Sequence, residues 1–80
     1  MEVWIVTEID QDLDGSNYIS INTQVFSTEV RARDYFNGRY DTNLDWADEI
    51  TDDDEDGAVF YQEDTIPRIT RLSITKKEMM

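Results

Sequence analysis

The sequence has no cysteine and no histidine, and these two absences exclude most familiar active sites. Without cysteine the chain has no disulfide, no thiolate metal ligand and no thiol nucleophile. Without histidine it also lacks the commonest general base and the commonest transition-metal ligand. Carboxylates are plentiful, but no pair of them is distinguished by its neighbours as the acid and base of a hydrolase. We therefore expect the protein not to be an enzyme and to need no cofactor.

Long apolar runs are also missing. No stretch approaches the roughly 20 apolar residues that a membrane-spanning helix needs. The first residues do not combine a basic segment with an apolar run, as a secretory signal does. These observations predict a soluble, cytoplasmic protein.

Basic residues are scarce and kept apart from the acidic ones. The chain has 7 Lys and Arg against 19 Asp and Glu, for a net charge of −12. The segment from Asp41 to Asp64 contains eleven carboxylates and no Lys or Arg, because every basic residue lies in Arg31–Arg39 or Arg68–Lys77. Such a surface attracts the basic groove of a partner protein and repels nucleic acid and anionic membranes. Self-repulsion also predicts that stability rises with salt.

The chain nevertheless has the composition of a folded domain. Apolar residues make up 39% of it and nine residues are aromatic, which is more than a simple disordered tail contains. We expect one domain over residues 1–75 and a disordered tail over 76–80. Residues 3–7 read as a strand covered on both faces, and residues 18–25 alternate as a second strand in a hairpin with the first.

The second half of the chain predicts one helix and two more strands. Ser27 is a suitable N-cap, the apolar spacing of residues 32–40 follows one helical stripe, and Gly38 weakens or ends the helix near Asn37. Residues 41–57 predict a turn or short helix, and residues 58–62 and 68–75 read as strands. The order β-β-α-β-β predicts an α+β fold, with a three- to four-stranded antiparallel sheet and one main helix on a face.

An acidic motif, D-x-D-x-D-G, occurs at residues 10–15 and again at 52–57. Alternating carboxylates followed by glycine begin calcium-binding loops, and the second copy completes the EF-hand pattern as far as Glu63. The calcium ligands under this hypothesis are Asp52, Asp54, Asp56 and Glu63, with Asp10, Asp12 and Asp14 as a weaker second site. The flanks disagree, because Val59, Phe60 and Tyr61 favour a strand where an EF-hand has a helix. Asp and Gly also favour ordinary solvated turns.

The acidic segment itself has two interpretations. Charge runs are usually solvated loops that keep a protein soluble. The alternative is imitation of a nucleic-acid backbone, since carboxylates at alternate strand positions recur every ~6.6 Å and can occupy a groove lined by Lys and Arg. Trp46, Phe60 and Tyr61 are candidates for apolar anchors beside these charges. The residues predicted to bind the partner are Asp45, Asp48, Glu49, Asp52, Asp53, Asp54, Glu55 and Asp56.

The chain resembles one class of proteins in its small size, its strong acidity, its missing catalytic residue types and its β-β-α-β-β order. These are the small phage-encoded proteins that block host defence enzymes, which include anti-CRISPR and anti-restriction proteins that imitate DNA. The resemblance implies a protein-binding inhibitor that acts in the host cytoplasm. Its partner would be a nucleic-acid-handling enzyme, such as a CRISPR effector or a nuclease, and it would bind neither nucleic acid nor a membrane.

Overall fold

One antiparallel sheet, with a helix on one of its faces, accounts for the secondary structure. The computed structural model describes residues 1–13, 19–63 and 67–78. The elements are β1 (Glu2–Asp12), β2 (Ile19–Phe26), α1 (Glu29–Trp46), β3 (Glu49–Asp54), β4 (Gly57–Gln62) and β5 (Arg68–Glu78). The predicted α+β class and element order are therefore confirmed, and the acidic segment supplies a fifth strand, β3, that the sequence did not predict.

The strands lie in the order β2-β1-β5-β4-β3. The first and last strands of the described chain are thus neighbours in the interior of the sheet, while β2 and β3 form its two edges. The register of β1 with β5 is unbroken from Glu2 opposite Glu78 to Asp12 opposite Arg68. The segment predicted as a disordered tail is therefore strand over residues 76–78, where Lys76 forms an ion pair with Glu2.

The core lies between the helix and the sheet face that it covers. Phe36 of α1 meets apolar side chains of the interior strands, among which Val6, Phe60 and Leu72 are almost completely buried. Ala32 and Ala58 are also fully enclosed, and such small side chains let the helix approach the sheet closely. Alternation along each strand explains the pattern, since every second residue points toward the helix.

The helix is longer than the sequence predicted. Thr28, not Ser27, is its N-cap, with the Thr28 hydroxyl accepting the Arg31 N–H at 3.4 Å. The helix continues through Gly38 to Trp46 because the turns beyond the glycine contribute Tyr40 and the buried Asn43 to the interface with the sheet. Packing thus outweighs the cost of about 1 kcal/mol for glycine inside a helix. No helix of the described residues is long and apolar enough to span a membrane.

No described element covers the other face of the sheet. Val3 and Ile69 are nevertheless buried on this face, with 7% and 6% of their surface exposed. Toward the β2 edge the same face becomes open, and Ile19, Ile21 and Val25 are largely exposed. The two faces therefore differ: one forms the core, and the other is a partly apolar surface.

The core makes one quantitative prediction. We expect Leu72→Ala to lower the free energy of unfolding by about 2–5 kcal/mol, because Leu72 is 1% exposed and its removal leaves a cavity against Phe60 and Val6. Val30→Ala is the matched control, since Val30 is 72% exposed on the helix and its loss should change stability by less than about 0.5 kcal/mol. Urea denaturation followed by tryptophan fluorescence measures both. Equal effects of the two substitutions would contradict this placement of the core.

Candidate functional site

The predicted partner-binding acids collect at one margin of the molecule. We call the eight residues the acidic edge: Asp45, Asp48, Glu49, Asp52, Asp53, Asp54, Glu55 and Asp56. Asp45 lies in the last turn of α1, and the others lie in or beside β3 and the turn that follows it. Since β3 is the outermost strand, these side chains border solvent instead of another strand. The fold therefore gathers acids that are spread over twelve positions of the sequence.

The acidic segment forms a strand because β4 and the core hold it in place. Ile50 lies opposite Phe60 and packs against the core cluster, while Glu49 lies opposite Tyr61. The Asp48 N–H donates to the Tyr61 carbonyl at 2.8 Å and continues the pairing beyond the strand. The turn or short helix predicted for residues 41–57 is thus wrong for the strand residues 49–54. Residues 41–46 extend the helix, and residues 49–54 are strand.

A bulge interrupts the pairing of β3 with β4. Thr51 lies opposite Val59 and Asp54 opposite Gly57, so Asp52 and Asp53 together face a single residue of β4. Asp52 takes a left-handed backbone conformation with φ 51°, which aspartate adopts more readily than most residues. The extra residue reverses the alternation of side chains, and Asp53 consequently points toward the helix.

Four acids of the edge are held by hydrogen bonds within the protein. The Tyr40 hydroxyl donates to Asp53 at 2.9 Å, and Arg33 donates to Asp56 at 2.7 Å. Arg33 also donates to the Glu55 carbonyl and lies over the Phe36 ring. The backbone N–H groups of Asp56 and Glu63 donate to Asp54 at 2.8 Å and Asp48 at 2.7 Å, respectively. These bonds fix the hairpin and its turn against α1.

The other four acids of the edge point outward. Asp45, Glu49, Asp52 and Glu55 are exposed, and their side chains make no hydrogen bond or ion pair with any described residue. Arg33 is the one cation that contacts the edge within the described part of the chain. The edge thus combines a fixed framework with four uncompensated charges.

The helix extends this acidic surface in a way that the sequence analysis missed. Asp34, Asp41 and Asp45 are exposed and spaced by seven and four residues, which places them on one outward stripe of α1. Asp41 also lies close enough to Tyr40 to influence its titration, as Asp53 does from β3. The helical spacing was visible in the sequence, but the assumption that the helix ended near Asn37 concealed it.

Two of the arginines pair with acids of β1. Arg39 donates to both carboxylate oxygens of buried Glu8 at 2.9 Å, and Asn43 donates to the same carboxylate at 3.0 Å. The hydrogen bond with Glu8 raises the pKa of Arg39 above its ordinary value. Arg68 pairs with Asp12 at 3.1 Å on the same side of the sheet. These cations are therefore engaged away from the acidic edge.

Of the three aromatic side chains predicted as anchors, one is available. Trp46 is 72% exposed and lies beside Asp45 and Asp48 in the chain, at the end of α1. Phe60 has no exposed surface and belongs to the core. Tyr61 is partly buried on β4. Trp46 is thus the one of the three candidate anchors that is exposed beside the acidic edge.

The calcium hypothesis does not fit this geometry. Asp52, Asp54 and Asp56 lie near the hairpin turn, but Glu63 lies beyond the far end of six-residue β4, about 20 Å away at strand rise. The described residues contain no group of three or more carboxylates placed to hold a metal ion. In the first motif, Asp10 accepts a hydrogen bond from Thr70 at 2.6 Å and Asp12 pairs with Arg68. Asp14, the third predicted ligand there, lies outside the described residues.

Comparisons with protein-family models, with curated proteins and with solved structures found no match to this chain.

Asp53 should control the titration of one tyrosine. The hydrogen bond to the Asp53 carboxylate, a small desolvation and the neighbouring negative charges raise the pKa of Tyr40 above the ordinary value for tyrosine. Asp53→Asn should therefore lower the pKa of Tyr40, because the amide carries no charge. Ultraviolet difference titration detects the change, and Tyr40→Phe identifies which of the tyrosines is responsible. The contact stabilises the fold below the tyrosine pKa, and this contribution is lost as pH rises through the raised value.

Salt should stabilise the protein without selectivity for calcium. Repulsion among the carboxylates is screened over about 8–10 Å near physiological ionic strength, so the melting temperature should rise with added NaCl. CaCl₂ at equal ionic strength should give no saturable increase, because the described carboxylates form no converging ligand set. Differential scanning calorimetry makes the comparison. A saturating response to calcium that Asp54→Asn abolishes would restore the calcium-loop hypothesis.

Proposed function

We propose that this protein is a non-enzymatic inhibitor that places its acidic edge in the basic groove of a nucleic-acid-handling protein and thereby excludes the nucleic acid. The observation that carries the proposal is the arrangement of the edge itself. Eight carboxylates lie at one margin of the sheet, and hydrogen bonds from Tyr40 and Arg33 hold two of them in position. A solvated fringe serving only solubility has no need for such a framework.

The spacing of the charges supports imitation of a phosphate backbone. Alternate residues of an extended strand recur every ~6.6 Å, and helix residues four positions apart rise by ~6 Å. Each strand of duplex DNA advances 3.4 Å per phosphate along its axis, so two phosphate steps span about the same distance as these intervals. Carboxylates spaced in this way therefore meet cations that are arranged for phosphates. Asp41 and Asp45 on the helix stripe have this interval, whereas the bulge at Asp52 and Asp53 interrupts the regular alternation on β3.

The expected energetics resemble those of DNA binding. When a polyanion binds in a groove of Lys and Arg, counterions are released. Because this release favours binding less at high salt, affinity falls steeply as salt is raised. Because the edge is already ordered in the free protein, little conformational entropy is lost on association. Exposed Trp46 supplies an apolar contact of the kind that dominates many interfaces, at the end of the row of charges.

The proposed targets are the host defence enzymes suggested by the resemblance to phage-encoded inhibitors. CRISPR effectors and restriction endonucleases hold nucleic acid in positively charged channels, which the acidic edge would enter. This assignment places the protein in the host cytoplasm, where these enzymes act. It requires no cofactor, and it gives the carboxylates an electrostatic role instead of a catalytic one.

The proposal is tested by competition with DNA. A fluorescent duplex is bound to each member of a panel of purified CRISPR effectors and restriction endonucleases, and its release by this protein is followed by anisotropy at several salt concentrations. We expect release from at least one target, and direct binding of this protein to that target should weaken steeply as salt is raised. Replacing Glu49, Asp52 and Glu55 by Gln, Asn and Gln should weaken competition at least ~10-fold. Each carboxylate removed is one phosphate surrogate fewer, so fewer counterions are released on binding.

A matched variant separates position from net charge. Replacing Glu2, Glu63 and Glu78 by Gln also removes three negative charges, but from residues outside the acidic edge. This control should compete nearly as well as the wild type, and circular dichroism checks that both variants are folded. Equal competition by the two triple variants, or no release from any member of the panel, would refute the proposed function.

A further inference from the structure

The two edges of the sheet are opposite in character. β3 carries four acids and a bulge, both of which prevent another strand from pairing with it. β2 has neither protection. Its sequence, ISINTQVF, contains no charged residue and no proline, and its register with β1 runs unbroken from Ile19 to Phe26.

An unprotected edge strand is a binding surface for another strand. In an antiparallel ladder, every second residue of an edge strand points both its N–H and its C=O away from its neighbour. About four residues of the eight in β2 therefore offer hydrogen bonds on the side away from β1, which is its one strand neighbour among the described residues. No described element lies beside them, so these groups are available for pairing.

The side chains of β2 favour an apolar neighbour. Ile19, Ile21 and Val25 share the face of the sheet that the helix leaves open, and they are 54%, 65% and 61% exposed. Across a two-fold axis, residues that face each other must lie on the same side of the sheet. Pairing centred on Asn22 places Ile19 opposite Val25 of the second copy. Pairing centred on Thr23 places Ile21 opposite Val25 of the second copy. Either arrangement buries β-branched side chains against each other.

The self-complementary pairing makes a second copy of this chain the occupant, and the absence of charge on β2 permits it. The molecule carries a net charge of −12, so close approach of two copies is costly wherever carboxylates meet. The β2 edge brings only uncharged strands together, and β3 lies four strand spacings away, or about 19 Å. A basic protein, by contrast, would be drawn to the acidic edge on the other side of the sheet.

We propose that β2 pairs antiparallel with β2 of a second copy about a two-fold axis, forming a continuous ten-stranded sheet. Each copy contributes its five strands, and one acidic edge lies at each end of the dimer. Pairing of eight residues buries less surface than a standard interface of about 1,600 Å². The dimer should therefore dissociate on dilution, and salt should strengthen it by screening repulsion between the copies.

Sedimentation velocity over a dilution series, at low and high salt, tests the proposal. The wild type should reach twice the monomer mass at high concentration. Val25→Lys should weaken dimerisation at least ~10-fold, because it places a charge in the apolar pair at the junction. Val30→Lys is the matched control: Val30 is another exposed valine, at 72%, but it lies on α1, so this variant should dimerise like the wild type. A wild type that stays monomeric at every concentration and salt, or a dimer that Val25→Lys leaves intact, would overturn the proposal.

Amide hydrogen exchange provides a second readout that does not depend on a substitution. In the concentrated sample, the β2 amides that do not bond to β1 should become protected, and dilution should reverse the effect. Protection that appears only when a strand from another protein is added to a monomeric wild type would assign a different occupant and contradict the dimer. The result is independent of the proposed function, because the variant lacking the charges of Glu49, Asp52 and Glu55 should dimerise at least as well as the wild type.

Discussion

The pairing of β1 with β5 is the contact on which the rest of the structure depends. It joins eleven residues of each strand and places β5 between β1 and β4. The β3–β4 hairpin therefore reaches the remainder of the sheet through β5, and the helix packs across the strands on both sides of this junction. Without it the sheet would separate into the β1–β2 hairpin, which alone is at best marginally stable in water, and a three-stranded unit of β5, β4 and β3. The acidic edge is thus held in place by a junction two strands away.

The large negative charge is compatible with the fold because cations pair with particular acids, while the excess carboxylates stay at the surface. Arg39 neutralises the buried Glu8 with help from Asn43, and Arg33 fixes the turn of the acidic hairpin. Most of the excess carboxylates lie at the margin of the sheet and on the outer side of the helix, where water and salt screen their repulsion. The molecule therefore tolerates a large net charge without placing uncompensated anions in its core.

The sequence predicted the strands that carry apolar alternation and failed where a charged segment depends on distant partners. Residues 3–7 and 68–75 were identified because β-branched residues mark them directly. β3 was missed because its acids predict a turn locally, whereas Ile50 and the backbone of β4 impose a strand. Likewise, local glycine chemistry predicted a helix end near Asn37, but packing extends the helix to Trp46. The acidic edge was thus predicted by composition, while its framework of Tyr40 and Arg33 required the fold.

The position of β5 also determines how the chain can acquire its structure during synthesis. Partners in the β1–β5 ladder are at least 56 positions apart in sequence, so no part of that ladder forms until nearly all of the described residues have been made. Until then the early hairpin and the helix lack the strand against which they bury their apolar side chains. Long-range pairing of this kind slows folding, because the entropy of closing a large loop is lost before the contacts between the strands stabilise it. β1 consequently has one unpaired edge until β5 has been made.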